Sequence, residues 1–138
     1  MLSIEEERFF NKVVSSVVSN LNISIPIIPY DHELLEGKSK NALGCSWSYD
    51  KNAVYQITID EFYIKECYHD YLWKQGVRGK DIFPKIEQSL EETLFHEISH
   101  IAYWRHGKKH EELAQRLYMD YKNRINKESV KESMHITS

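Results

Sequence analysis

The chain has 138 residues, with 18 Lys and Arg against 21 Asp and Glu and a formal net charge of −3. That length supports one hydrophobic core rather than two, and a 41% hydrophobic, 12% aromatic composition excludes wholesale disorder. The acidic balance argues against nucleic-acid binding driven by bulk charge, and no apolar run approaches the length of a bilayer-spanning helix.

In chain order, residues 4 to 21 place Phe9, Val13, Val14, Val17, Val18 and Leu21 at helical spacing. Ser3 is positioned as its N-cap, with Glu6 completing a capping box. The apolar stripe is expected to pack on the domain's own sheet. The start "MLSIEEERFF" is acidic where a signal peptide would be basic, so a cytoplasmic location is expected. "ISIPIIPY" reads as a strand that Pro26 and Pro29 confine to an edge. "DHELLEGKSKN" is a polar connection. "ALGCSWSYD" and "AVYQITID" then form a hairpin turning near "YDKN". Within the second run, Tyr55, Ile57 and Ile59 alternate with Val54, Gln56, Thr58 and Asp60, so one face is available for burial. If it lay at the sheet's edge, this run would be suited to receiving an extended peptide.

Residues 61 to 75 read as a helix broken by "GVRGKD". A long helix is expected from Asp81, with Pro84 in its first turn, to about Arg105, where Gly107 stops it. A last helix covers about 110 to 126. A single domain over residues 1–126, followed by a polar, flexible tail over 127–138, is the expected organisation. Cys45 and Cys67 form no CxxC pair and read as two reduced thiols. His32 and His69 read as structural or surface residues.

Four of the seven histidines lie between His96 and His110. In "HEISH", His96 and His100 are four apart on a helix, where side chains stack about 5–6 Å apart and can reach one metal ion. Glu97 is turned about 100° from His96, so it can face a water in the open coordination position without being a ligand. Zn²⁺ lowers the pKa of such a water, and the carboxylate can take its proton. Leu94, Phe95, Ile98, Ile101 and Ala102 gather on the opposite side, giving the helix an apolar back.

A zinc site needs a third protein ligand. His106 is the first candidate, but an unbroken helix would carry it about 9 Å further along the axis. It can ligate only if the chain leaves the helix before it, and "IAYWR" contains no Gly or Pro. His110, past the turn, is the second candidate, and Asp120 the acidic alternative. Tyr103, Tyr118 and Tyr121 are candidate oxyanion donors, and Glu92 is a candidate hydrogen-bond partner for His96.

From about Ala42 to Leu117 the chain resembles the SprT-like zinc metallopeptidases of the wider zincin class. The resemblance is carried by "ALG" at 42–44, "ITID" at 57–60, "ETLFHEISH" at 92–100 and "HG" at 106–107 before a helix. It implies a small α+β zincin-like domain, with an N-terminal helix and a short, mostly antiparallel sheet packed on the HExxH helix. It implies zinc held by His96, His100 and His106, with Glu97 as the catalytic base that activates the metal's water for peptide-bond hydrolysis. The expected partner is a protein or peptide substrate. Nucleic acid is supported only by the Lys and Arg content of residues 122–131, and no membrane contact is expected. The family usually has an aromatic residue where this chain has His110. If His110 joined the other three, the site would be closed and the chain a non-catalytic zinc-binding module. A zinc hydrolase of non-peptide bonds is a third reading.

Overall fold

Ser3 closes the first helix by a reciprocal capping box. Its Oγ accepts from the Glu6 amide at 3.1 Å, and its own amide donates to Glu6 Oε1 at 2.7 Å. Helix α1 spans Ile4–Val18. The computed structural model describes residues 1–76 and 86–137. Within these, α1 is followed by β1 (Ile27–Tyr30), β2 (Gly44–Ser48), β3 (Val54–Asp60), α2 (Glu61–Lys74), α3 (Leu90–Ser99) and α4 (Lys108–Thr137). The protein is a small α+β domain, as the sequence led us to expect. No helix among the described residues is long and apolar enough to cross a membrane.

The core is built where α1 and α3 meet β3. Phe10 and Val17 of α1, Leu94, Phe95 and Ile98 of α3, Ile64 of α2, and Ile57 and Ile59 of β3 are all buried together. The apolar stripe of α1 packs mainly on α2 and α3 rather than on the sheet. Glu6, itself buried, also receives Lys65 Nζ of α2 at 2.8 Å, so the cap joins two helices.

The sheet has the order β1-β3-β2. β1 runs parallel to β3 and β2 antiparallel to it, so the sheet is mixed rather than mostly antiparallel. β1 is at an edge, where Pro29 costs no ladder bond in the interior of the sheet. β3 is central, so "AVYQITID" does not meet the condition for receiving an extended peptide: both of its edges are taken. The edge on the other side of the sheet belongs to β2, unpaired among the described residues.

Residues 31–41 form two 3₁₀ turns, His32–Leu34 and Gly37–Asn41, and bring His32 over the sheet. His32 is fully buried. Its Nδ1 lies 2.7 Å from the Ala42 carbonyl, and its Nε2 lies 2.9 Å from Thr58 Oγ1. Trp47 Nε1 donates to the same Thr58 oxygen at 2.9 Å. One assignment satisfies every atom: Trp47 N–H to Thr58, Thr58 O–H to His32 Nε2, and His32 Nδ1–H to Ala42. The ring thus links the start of β2 to β3 through a closed polar chain.

Three helix limits differ from expectation. The expected start at Asp81, with Pro84 in its first turn, lies outside the described residues. α3 begins instead at Leu90, capped by Ser89 Oγ, which accepts from the Glu92 amide at 3.1 Å. It ends at Ser99 rather than near Arg105. Ile101 and Ala102, expected in its apolar back, are therefore exposed. α4 passes the expected end near residue 126 and reaches Thr137, because nothing between 108 and 137 is a Gly or Pro that would stop it.

Replacing His32 by Ala would leave the Ala42 carbonyl and Thr58 hydroxyl without their partner. Urea unfolding is expected to show a loss of about 2–4 kcal/mol at unchanged m-value. A midpoint equal to that of the parent chain would show that the ring is not what holds β2 in register.

Candidate metal centre

The end of α3 creates the site. Ser99, buried and without access to solvent, turns its hydroxyl back onto the Phe95 carbonyl at 2.7 Å, a bond that bends helices. The next amides switch to shorter loops: His100 bonds Glu97 at 3.1 Å, Ile101 bonds Ile98 at 3.0 Å, and Ala102 bonds Ser99 at 3.2 Å. His100 Nδ1 reaches forward to the Tyr103 carbonyl at 3.1 Å. The chain therefore leaves the helix at His100 without any Gly or Pro, and the objection to His106 disappears.

The loop returns His106 to the two HExxH histidines. Its Nε2 lies 3.1 Å from His96 Nε2 and 3.1 Å from His100 Nε2. The first turn of α4 then adds His110. All six ring-centroid separations among these four histidines fall between 4.1 and 5.3 Å. One ligand atom each from His96, His100 and His110 also lie within 4.8 Å of one another, close enough to hold a metal ion. In a tetrahedral zinc site with Zn–N of about 2.0–2.1 Å, ligand nitrogens stand about 3.3 Å apart, close to the separations of His106 Nε2 from the Nε2 atoms of His96 and His100.

The electrostatics suit a cation. Burial and the three neighbouring imidazoles hold His96 down to about 4, and burial with His110 and His106 depresses His100. At neutral pH both rings are uncharged. His100, donating through Nδ1 to Tyr103, presents a bare Nε2 to the centre. His110 is fully buried, with Nε2 2.8 Å from the His96 carbonyl and Nδ1 without a hydrogen-bond partner among the described residues.

Glu97 is the carboxylate of the site. It is 5% exposed, and its Oε2 lies 3.9 Å from His96 Nε2. Burial pushes it up to about 7, opposed by Ser46, and a neighbouring cation would lower it again. Two residues of β2 hold it. Ser46 Oγ lies 2.9 Å from both Glu97 Oε1 and the Glu97 carbonyl. At Gly44 a Cβ would stand 2.9 Å from Glu97 Cγ and 3.2 Å from Oε2, so the carboxylate rests on bare backbone. A cleft of about 660 Å³ opens between β2 and the 100–106 loop, lined by Gly44, Trp47, His96, Glu97, Trp104 and His106 among others.

The structure thus brings His96, His100, His106, His110 and Glu97 together. It does not bring Asp120, which is exposed on α4. Glu92 is engaged with Ser89 at the start of α3. Tyr118 and Tyr121 pack against Phe95, and the Tyr121 hydroxyl bonds Ser16, which leaves both committed to the core. Gly44 and Ser46 were not singled out from the sequence. The signal available was their spacing of two on a strand, which puts two small residues on one face. That face is shared by Ile57 and Ile59, their partners in the ladder.

No family model, curated protein or solved structure matches this chain.

Gly44→Ala would force its methyl into Glu97 and against Ile59 Cδ1 at 3.1 Å. The expected cost is about 1–3 kcal/mol of folding stability, read from chemical denaturation. An unchanged midpoint would mean that the carboxylate moves aside freely.

Proposed function

We propose that the protein is a zinc-dependent peptidase of the SprT-like kind, hydrolysing peptide bonds with Glu97 as base. The observation that carries this reading is the convergence of three Nε2 atoms, of His96, His100 and His106, with the Glu97 carboxylate 3.9 Å from the nearest of them. An all-imidazole donor set suits Zn²⁺ among the common divalent cations, and the orphaned Nδ1 of His110 is a further lone pair that a cation would satisfy. When bound, such a cation supplies an acidified water and a Lewis acid for a carbonyl oxygen.

The chain's own residues do the rest. Glu97 Oε1 is fixed by the Ser46 hydroxyl, which leaves Oε2 on the side of His96 to take a proton from water and return it to the leaving amine. Gly44 lets the carboxylate sit against the strand without a side chain between them. The free edge of β2 borders the same cleft as these groups. An extended peptide pairing there would bring its carbonyl groups alongside Glu97, which favours a peptide over a small ester or amide as substrate.

A second reading has its own support. The buried nitrogen of His110 offers a fourth donor, and four protein ligands would make a closed, structural zinc site in a non-catalytic module.

Glu97→Gln separates the two. The peptidase reading expects one zinc per chain by elemental analysis in both parent and variant. It also expects cleavage of unfolded protein substrates to fall by at least about 100-fold in the variant. Activity and metal lost together would remove Glu97 from the base role. A zinc-loaded parent chain that cleaves neither unfolded proteins nor peptides would favour the closed module.

A further inference from the structure

Three imidazoles are enough for an open zinc site, yet four meet here, and they are held in unequal ways. We propose that His110 is a permanent ligand through Nδ1 and that His106 is the exchangeable one, so that the site rests closed and opens when His106 withdraws. This deepens the reading of the preceding subsection and rests on a cation occupying the cluster.

The assignment of His110 follows from its hydrogen bonding. A neutral imidazole carries one N–H. Nε2 lies 2.8 Å from the His96 carbonyl, which can only accept, so the proton is on Nε2 and Nδ1 is a bare lone pair. That lone pair is buried in a side chain with 0% exposure and meets no donor among the described residues. Folded proteins rarely leave such an atom unmet. The ring lies stacked on His100 with centroids 4.1 Å apart, and a ligand atom of His110 is within 4.8 Å of those of His96 and His100. Packing alone would be served as well by Phe or Tyr. What His110 adds is the Nδ1 lone pair on a ring whose other nitrogen is anchored to the helix that carries His96. Backbone donation of this kind is how ligating histidines are oriented.

His106 is the opposite case. It is exposed, sits in the loop between two helices, and among the described residues its ring nitrogens contact only the other two imidazoles. Around Gly107, which follows it, a Cβ would meet nothing within 4 Å. The loop thus carries His106 on a segment outside both helices, whereas His96 lies in α3, His100 caps it and His110 lies in α4. Of four donors competing for one ion, the one carried on the connecting loop rather than on α3, its cap or α4 is the first to yield to a water or to a carbonyl entering along β2.

The test uses the full-length chain, Co²⁺ as spectroscopic probe and Zn²⁺ in competition with a chromogenic chelator. His110→Gln keeps an amide donor for the His96 carbonyl but has no atom to replace Nδ1. We expect it to weaken binding of both ions by about 100-fold or more and to alter the Co²⁺ visible spectrum. His106→Ala should weaken binding by no more than about tenfold, with the weaker Co²⁺ absorption of a site that has gained a solvent ligand. Long-range ¹H–¹⁵N spectra of the unmutated chain give a readout that does not depend on a variant folding. The His110 Nδ1 resonance should move on adding Zn²⁺ while Nε2 stays protonated. An unmoved Nδ1 resonance, or His110→Gln binding as tightly as the parent while His106→Ala does not, overturns the assignment and leaves the three-histidine peptidase site intact. A parent chain that takes up neither ion overturns both.

Discussion

Several hydrogen-bond acceptors aimed at one point repel one another unless something positive lies between them. That constraint governs the end of α3. Nε2 of His106 is 3.1 Å from two other Nε2 atoms, and a single N–H can serve only one such contact. The buried Nδ1 of His110 adds a further lone pair with no donor among the described residues. Burial and mutual proximity keep His96 and His100 uncharged, so protons do not resolve the conflict near neutral pH. A divalent cation held among these nitrogens would.

The rest of the fold is arranged to hold this conflict in place. α3 is short, and its apolar residues Leu90, Leu94, Phe95 and Ile98 fasten it to α1, α4 and the sheet. Its polar face is left to His96, Glu97 and His100. β2 approaches close enough that only a glycine fits beneath Glu97. β2 in turn is tied to β3 by the ladder and by the Trp47–Thr58–His32–Ala42 chain. His32, distant from the cluster in sequence and without a role in its chemistry, is therefore connected mechanically to the carboxylate.

The loop from His100 to Gly107 joins the fold to the histidine cluster. It is made by a serine back-bond and successive short-range amide bonds rather than by Gly or Pro. The segment therefore carries His106 outside both helices. Trp104 lies beside His100, with ring centroids 6.0 Å apart, and packs against the core where Ile101 and Tyr103 of the same loop are exposed.

Much was legible in the sequence because it depends on neighbours along the chain. The capping box at Ser3, the edge position of β1 with its prolines, the hairpin before Asp60, and the HExxH pair with Glu97 beside it all follow from local spacing. The α+β class follows from the order of those elements. Tertiary structure alone decided where α3 stops, since a serine can point either outward or back onto its helix and no Gly or Pro announced the end. It alone decided that both His106 and His110 reach the centre while Asp120 does not, because a loop's return path is set by packing rather than by residue spacing. It also decided that β3 is central and β2 free-edged, and thereby that Gly44 and Ser46 lie under Glu97: strand order is a non-local pairing, and periodicity within a strand carries no information about which strand lies beside it.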